Sequence, residues 1–327
     1  MSNIEINVLV LAVGSPLGQS ILKALKMSTL PKSIHAADIS DLAAGFYLNP
    51  SQTVTLPPVK DRNYLTHLSD YIRCNSINVI FPVIALEHVF FASHQAYFRD
   101  LGVHIISCDS EIYDICNDKF RSMQFLRKNG INAPDTELCD DSNKIKLFLN
   151  RNKFPLFLKP RFGASSTDVF KVNNRDELMG VLHAFDNNHF VVQQYLADPR
   201  DFTIGIFTSI NRKFQESLII ERELKFGLSY RGKIINDHII SSYCFSIANT
   251  TKATYSINVQ LKLEDGVPYC YEINPRLSST TCVRAHFGYN EPELILRDLF
   301  FGLDSYTINK RKGRFTRYWQ EHYIEAI

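Results

Sequence analysis

Ser256-Ile-Asn-Val-Gln260-Leu-Lys-Leu-Glu-Asp-Gly266-Val-Pro-Tyr-Cys-Tyr-Glu272-Ile-Asn274-Pro-Arg276 reads as two strands around a tight turn. On the first strand Ile257, Val259, Leu261 and Leu263 alternate with Asn258, Gln260 and Lys262, so a period of two gives one apolar and one polar face. On the second, Tyr271 and Ile273 alternate with Cys270, Glu272 and Asn274. Matching apolar to apolar puts Gln260 on the face of Glu272 and Asn274, whereas a two-residue Asp265-Gly266 loop pairs Gln260 with Tyr271. The expectation is therefore an odd-length loop with Gly266 as the bulge. The polar face then gathers one carboxylate, two amide oxygens and Arg276, hard oxygen donors suited to magnesium beside a cation suited to phosphate. The spacing by itself serves equally well for the polar exposed face of an edge hairpin.

Upstream, Phe157-Leu-Lys159-Pro-Arg-Phe-Gly163-Ala-Ser165-Ser166 is a strand ending in Lys and followed by a small-residue loop. Such a loop offers backbone N–H groups and hydroxyls to phosphate oxygens, and the Lys adds a point charge, although Lys-Pro with a Gly-Ser turn also occurs in ordinary hairpins. From residue 154 onward the strands are rich in aromatics, with hairpin signals at Asn211-Arg212 and Asp265-Gly266 and helices over 176–184 and 238–251, the signature of an α+β unit on antiparallel sheets. The first part differs. Asn7-Val-Leu-Val-Leu-Ala-Val13, then Gly14-Ser-Pro-Leu-Gly18, then Ile21, Leu22 and Leu25 reads as strand, glycine turn and helix. Further strand-like runs at 33–38, 79–83 and 103–107 give the alternation of a doubly wound parallel sheet up to about residue 115. Gly14 and Gly18 do not form G-x-G-x-x-G and are read as close strand-to-helix packing rather than dinucleotide binding.

With 327 residues, the chain exceeds the usual size of one core, and its 45% hydrophobic and 21% charged residues fit a folded soluble protein. A net charge of +2, with one short basic run from Lys310 to Arg314, implies no nucleic-acid partner. Seven cysteines without C-x-x-C fit reduced thiols in a cytoplasm better than a disulfide framework. The apolar run 8–13 is too short for a membrane span and lacks the flanks of a signal peptide. No Ser-His-Asp set, zinc spacing or thiolate nucleophile stands out.

Glu272-x-Asn274-Pro-Arg276 at the end of its hairpin resembles the metal-binding signature of the ATP-grasp superfamily, particularly its carbamoyl phosphate synthetase-like branch, and the similarity runs through nearly the whole chain. The resemblance implies an N-terminal Rossmann-like pre-ATP-grasp domain over 1–115. An ATP-grasp domain of two α+β subdomains follows, a lid over 116–198 and a central part with the metal site and C-terminal tail over 199–327. It implies Mg2+, or the similar Mn2+, on Gln260, Glu272 and Asn274, with Arg276 on the triphosphate. ATP contacts are implied for Lys119 in Asn-Asp-Lys, for Lys159, Gly163, Ser165 and Ser166 in the lid loop, for the adenine hinge Gln193, Gln194, Tyr195 and Leu196, and for Asp201. Gln194 stands where the family usually has an acidic residue and Gly205 where Asp is frequent, which weakens the expected ribose hydrogen bonds. Arg222 matches the arginine that faces the acyl phosphate; a surface pair with Glu221 or Glu223 is its ordinary alternative.

Leu277-Ser-Ser-Thr-Thr281 lies where the family places an acceptor pocket, and Arg284 and His286 are candidates for holding a carboxylate. The implied activity is an ATP-dependent carboxylate–amine ligase acting on small molecules, with a homodimer as the common oligomer of soluble enzymes. Two rivals remain: a regulatory ATP-binding protein that kept the fold, and a nicotinamide enzyme built on the N-terminal unit.

Overall fold

The computed structural model describes residues 5–163, 168–185, 189–303 and 306–324. Strands β1 (Asn7–Val10), β2 (Ser33–Asp38), β3 (Gln52–Thr55), β4 (Val79–Phe81) and β5 (His104–Ile105) form a parallel sheet in the order β3-β2-β1-β4-β5. The central strand β1 is buried along its whole length, as a sheet covered on both faces requires. It ends before the expected 13, because Ala12 takes a positive φ of 43° at the turn. Helix α1 (Pro16–Met27) starts with proline in its first turn, and the Ser15 side chain accepts from the Gly18 N–H at 3.1 Å. A Cβ on Gly18 would lie 2.5 Å from the Ala12 carbonyl oxygen, so this glycine is there for packing. The Gly14 N–H donates to Asp38 Oδ2 at 2.7 Å, tying this turn to the end of β2.

Strands β6 (Thr136–Leu138), β7 (Leu156–Pro160), β8 (Phe170–Val172) and β9 (Phe190–Gln194) make an antiparallel sheet ordered β6-β9-β7-β8. Helices α2 (Tyr64–Cys74), α3 (Ala85–Ser93), α4 (Gln95–Asp100) and α5 (Ser110–Asn117) precede this sheet in the chain, and α7 (Ser142–Arg151) and α8 (Arg175–Ala184) bury Phe148, Leu178 and Leu182 against Leu156, Leu158 and Val192. Helix α6 (Lys119–Lys128) is capped by Asp118 and packs elsewhere: Met123 and Leu126 enter the core beneath the third sheet.

That third sheet is antiparallel, with β10 (Asp201–Thr208), β11 (Gln215–Lys225), β12 (Leu228–Ile235), β13 (Tyr255–Glu264), β14 (Val267–Asn274) and β15 (Arg314–Thr316) in the order β14-β13-β10-β11-β12-β15. One face buries Phe202, Ile204, Val259, Leu261, Cys270 and Ile273 against α6 and α9 (His238–Thr251). Phe207, Leu218 and Ile220 join a different core shared with Val8, Val10 and Ile21 of the first unit, so the first and third units are packed through common apolar surface.

The deciding hairpin corrects the expected odd-length loop. Glu264 pairs with Val267 across the two residues Asp265 and Gly266, both with positive φ, 48° and 79°. The register is restored inside the strands instead. Gln260 faces Glu272 while Leu261 faces Cys270, leaving Tyr271 as an extra residue in a β-bulge. The bulge puts Cys270 and Ile273 in the core and turns both Tyr271 and Glu272 toward the polar face, so Tyr271 does not share the apolar face with Ile273 as alternation suggested.

Candidate active site

The polar face of the third sheet meets the lid strands and the first unit at two adjoining clefts. The larger, about 790 Å³, is lined by Lys119, Phe157, Lys159, Gly163, Gln193, Gln194, Leu196, Asp201, Arg222, Gln260, Tyr271 and Glu272, among others. The smaller, about 470 Å³, runs from Ser15, Pro16, Val83 and Ile84 of the first unit to Asn274, Arg276, Ser278, Ser279 and Thr280. Lys119, Phe162, Gly163, Arg222, Gly227, Gln260 and Glu272 border both. A group reaching from one cleft into the other must pass these side chains.

At that junction β10, β11, β13 and β14 bring together residues far apart in sequence. Arg222 Nε donates to Asp201 Oδ1 at 2.6 Å across the β10–β11 pair, and its Nη2 donates to Gln260 Oε1 at 2.6 Å and to the Tyr271 hydroxyl at 3.1 Å. The Tyr271 hydroxyl donates to Asp201 Oδ2 at 2.7 Å. The Arg222 and Asp201 side chains are only 6% and 14% exposed, so Arg222 is not the surface partner of Glu221 or Glu223; Glu221 pairs with Lys233 and Glu223 with Arg231. Burial by itself would lower the guanidinium pKa, but Tyr271 and Asp201 outweigh it and raise it.

Glu272 and Asn274 form the second half of the junction, with Asn274 Nδ2 donating to Glu272 Oε1 at 3.0 Å. Three cations surround this carboxylate. Lys119 and Lys159 are both pushed down by burial and pulled up by Glu272, Lys159 reaching about 8. Burial also lowers Arg276, against Tyr113 and Glu272. Glu272 and Asn274 fit a hard divalent cation in their donor chemistry. Gln260 fits less directly, because its side-chain oxygen already accepts from Arg222 at 2.6 Å. Among the described residues no group of three or more His, Cys, Asp or Glu side chains could hold a metal, so any ion here relies on amide oxygens and on its ligand.

On the lid side Lys159 Nζ donates to Gln193 Oε1 at 2.7 Å and to the Tyr271 carbonyl at 3.1 Å, and Lys119 Nζ donates to the Gly163 carbonyl at 2.8 Å. Gln194 accepts from the Asp135 N–H at 3.3 Å through its side chain. Tyr195 is not among the residues lining either cleft; its ring packs on Phe157, with Lys171 Nζ 4.5 Å from its centroid. Ser165 and Ser166 lie outside the described residues. Both Asp201 oxygens are committed to Arg222 and Tyr271, so this carboxylate orients the arginine.

Arg284 does hold a carboxylate, but an internal one: it is fully buried with Glu291, Nε to Oε2 at 2.6 Å, and cannot reach a substrate acid. The His286 ring packs at right angles to that of Phe287, with centroids 5.0 Å apart. Sequence reasoning missed Tyr271, hidden by the bulge, and the Asp118–Arg161 pair that anchors the start of α6 at 2.6 Å beside Lys119.

Family models match along the chain: a PylC-like N-terminal domain over residues 8–106, a RimK-like ATP-grasp domain over 116–212, and an ATP-grasp model from a biosynthetic pathway with the Ter operon over 186–320. A D-alanine–D-alanine ligase of Bacillus anthracis is 26% identical over 199 residues, covering 55% of this chain and 63% of the ligase. The carbamoyl phosphate synthase large chain of Sulfurisphaera tokodaii is 21% identical over 191 residues, 54% of this chain and 18% of the synthase. The chain therefore spans less than two thirds of either relative. Among solved structures, N5-carboxyaminoimidazole synthetase from Staphylococcus aureus complexed with ADP superposes with a TM-score of 0.72 at 14% identity, over 91% of this chain and 78% of that one. The biotin carboxylase domain of Hydrogenobacter thermophilus 2-oxoglutarate carboxylase gives 0.70 at 14% identity, over 94% and 73%. With these matches running from residue 8 to residue 320, the chain belongs to the ATP-grasp superfamily.

Proposed function

We propose that this chain is an ATP-dependent ligase that activates a small carboxylate as an acyl phosphate, releases ADP, and joins the acyl group to an amine or similar nucleophile. The carrying observation is the meeting of two clefts at Lys119, Arg222, Gln260 and Glu272. The larger cleft takes ATP, with the lid (116–198) closing on the central subdomain (199–327), and the smaller takes the carboxylate and its acceptor. Nucleotide-bound neighbours, one crystallised with ADP and one with magnesium ADP and bicarbonate, support the choice of ATP and Mg2+.

Phosphoryl transfer needs positioning and compensation of moving negative charge rather than a protein nucleophile. Lys119 and Lys159 supply positive charge along the path of the phosphates, and Arg222, fixed by Asp201 and Tyr271, presents a permanent cation to the transferred group. Glu272 and Asn274, with Gln260, would hold Mg2+, which neutralises phosphate charge when bound. Arg276, which lines the smaller cleft, faces the anionic end of the acid or the terminal phosphate. The acceptor amine attacks the acyl carbon, the acyl carbon–oxygen bond breaks, and inorganic phosphate leaves. A soluble homodimer in a cytoplasm is the accompanying expectation; no helix among the described residues is long and apolar enough to cross a membrane.

The test is magnesium-dependent ATP turnover across pooled amino acids and small carboxylic acids, with ADP and AMP separated, for the native chain and Glu272→Ala. ADP release that needs both a pool and Glu272 supports the reading. AMP release points to adenylation and overturns it, and tight ATP binding without turnover favours the regulatory alternative.

A further inference from the structure

Arg284, on the short helix α10 (Thr281–His286), is the largest fully buried side chain among the described residues, and its partner Glu291 is also 0% exposed. A buried ion pair is costly unless its remaining donors are satisfied; besides Glu291 and, at 3.4 Å, Asn258 Oδ1, the Arg284 donors reach three hydroxyls of one short segment. Nη1 donates to Thr280 Oγ1 at 2.7 Å, and Nη2 donates to Ser278 Oγ at 3.1 Å and Thr281 Oγ1 at 3.3 Å. Ser278 and Thr280 both line the smaller cleft.

The hydroxyl oxygens of Ser278 and Thr280 lie 2.8 Å apart, so one of their two protons bridges them. Arg284 fills an acceptor position on each oxygen. The Thr280 N–H also donates to Ser278 Oγ at 3.3 Å, so the bridging proton belongs to Ser278, and the proton of Thr280, a buried side chain in the wall of the cleft, is left to donate elsewhere. Gly205 makes this arrangement possible: a Cβ there would sit 2.4 Å from Arg284 Nε and 2.6 Å from Glu291 Oε1. The residue that departs from the family's frequent Asp is the space that Arg284 and Glu291 occupy.

We propose that Arg284 is a positioning residue for the substrate end of the site: with Glu291, and in the room left by Gly205, it holds the rim 278–281 so that the Ser278–Thr280 hydroxyl pair presents a hydrogen-bond donor to the anionic carboxylate of the substrate. This rests on the ligase reading for the identity of the ligand, though not for the ordering of the rim.

The experiment compares the native chain with Arg284→Lys, with the paired apolar replacement Arg284→Leu plus Glu291→Leu, and with Ser278→Ala plus Thr280→Val. Amide hydrogen exchange of peptides covering 277–283 is followed in the ligand-free proteins, with Mg·ADP affinity and, for the acid found in the pool screen, KM and kcat. The paired apolar variant should speed exchange of the rim and raise KM for the acid, each by roughly tenfold, the ratio expected for losing one hydrogen bond to a charged group. Mg·ADP affinity should stay within about twofold, Arg284→Lys should recover part of the loss, and the hydroxyl variant should raise KM for the acid with unchanged exchange. An unmoved rim, or equal weakening toward ATP and acid, overturns the proposal. Failure of the ligase reading shows differently, as no ADP release from the native chain, and leaves the exchange comparison standing; where the apolar pair does not fold, Arg284→Lys carries the same comparison.

Discussion

Replacing Asp201 by Asn tests the reasoning at the junction of the clefts. The substitution keeps the shape of the side chain and one hydrogen bond to Arg222, and it removes the only carboxylate paired with that guanidinium among the described residues, at 2.6 Å. With Arg222 6% exposed, little water can replace the lost charge. Breaking a buried pair by removing one partner costs about 3–5 kcal/mol, and the retained hydrogen bond returns about 1, leaving a loss of about 2–4 kcal/mol. At about 2.1 cal/mol/K per residue, cooperative unfolding of 327 residues has an entropy near 0.7 kcal/mol/K, so the Tm should fall by about 3–6 °C. Differential scanning calorimetry without nucleotide, at low and at molar salt, measures it. Because the pair is buried, the drop should survive high salt. A shift below about 1 °C, or one that disappears in salt, would show that Arg222 is not held by Asp201 as described.

Acid should destabilise the native chain through His88. Burial, with Arg276 adding, pushes its imidazole down to about 3, so the unfolded chain takes up a proton below 6.5 that the folded chain refuses. Stability is then lost as pH falls through that window, about 2 kcal/mol by pH 5, and His88→Phe should remove the dependence in urea titrations at several pH values. Glu87 has the opposite sign: burial raises it to about 7 against the Val83 and Ile84 N–H groups, so its contribution is lost as pH rises from 4.5 toward 7, a loss that Glu87→Gln should abolish in the same titrations. Gly18→Ala forces a Cβ to within 2.5 Å of the Ala12 carbonyl oxygen and should cost more than about 2 kcal/mol, checked by thermal unfolding. Asn274→Ala should weaken Mg·ADP binding by roughly tenfold in calorimetry while leaving the Tm within a few degrees, since its side chain contacts Glu272 at the edge of a cleft.

Much of the architecture was legible from local pattern. The Val-rich run at 7–10, the strand 33–38 and the helix 238–251 depend on periodicity and caps, which are near-neighbour properties. The hairpin defeated that kind of reading in one respect. Asp265-Gly266 carries the correct signal for a two-residue turn, but strict alternation has no place for the extra residue that reconciles that turn with the two faces. The compensating bulge at Tyr271 is set by core packing of Cys270 and Ile273, a tertiary fact. Arg222 was visible as a candidate, yet its partner Asp201 becomes adjacent only through the β10–β11 register. Gly205, read alone, signals only weaker ribose hydrogen bonds; the buried Arg284 and Glu291 that fill its place lie about eighty residues away in the sequence.

The central claim is that phosphate passes to a carboxylate at the junction of the two clefts. The most direct measurement is to supply the activating acid with oxygen-18 in both carboxyl oxygens and examine the products by phosphorus NMR. An acyl phosphate places one labelled oxygen in the inorganic phosphate released with ADP, and Glu272→Ala should abolish the transfer. Label recovered in AMP, or phosphate carrying none, would contradict the account.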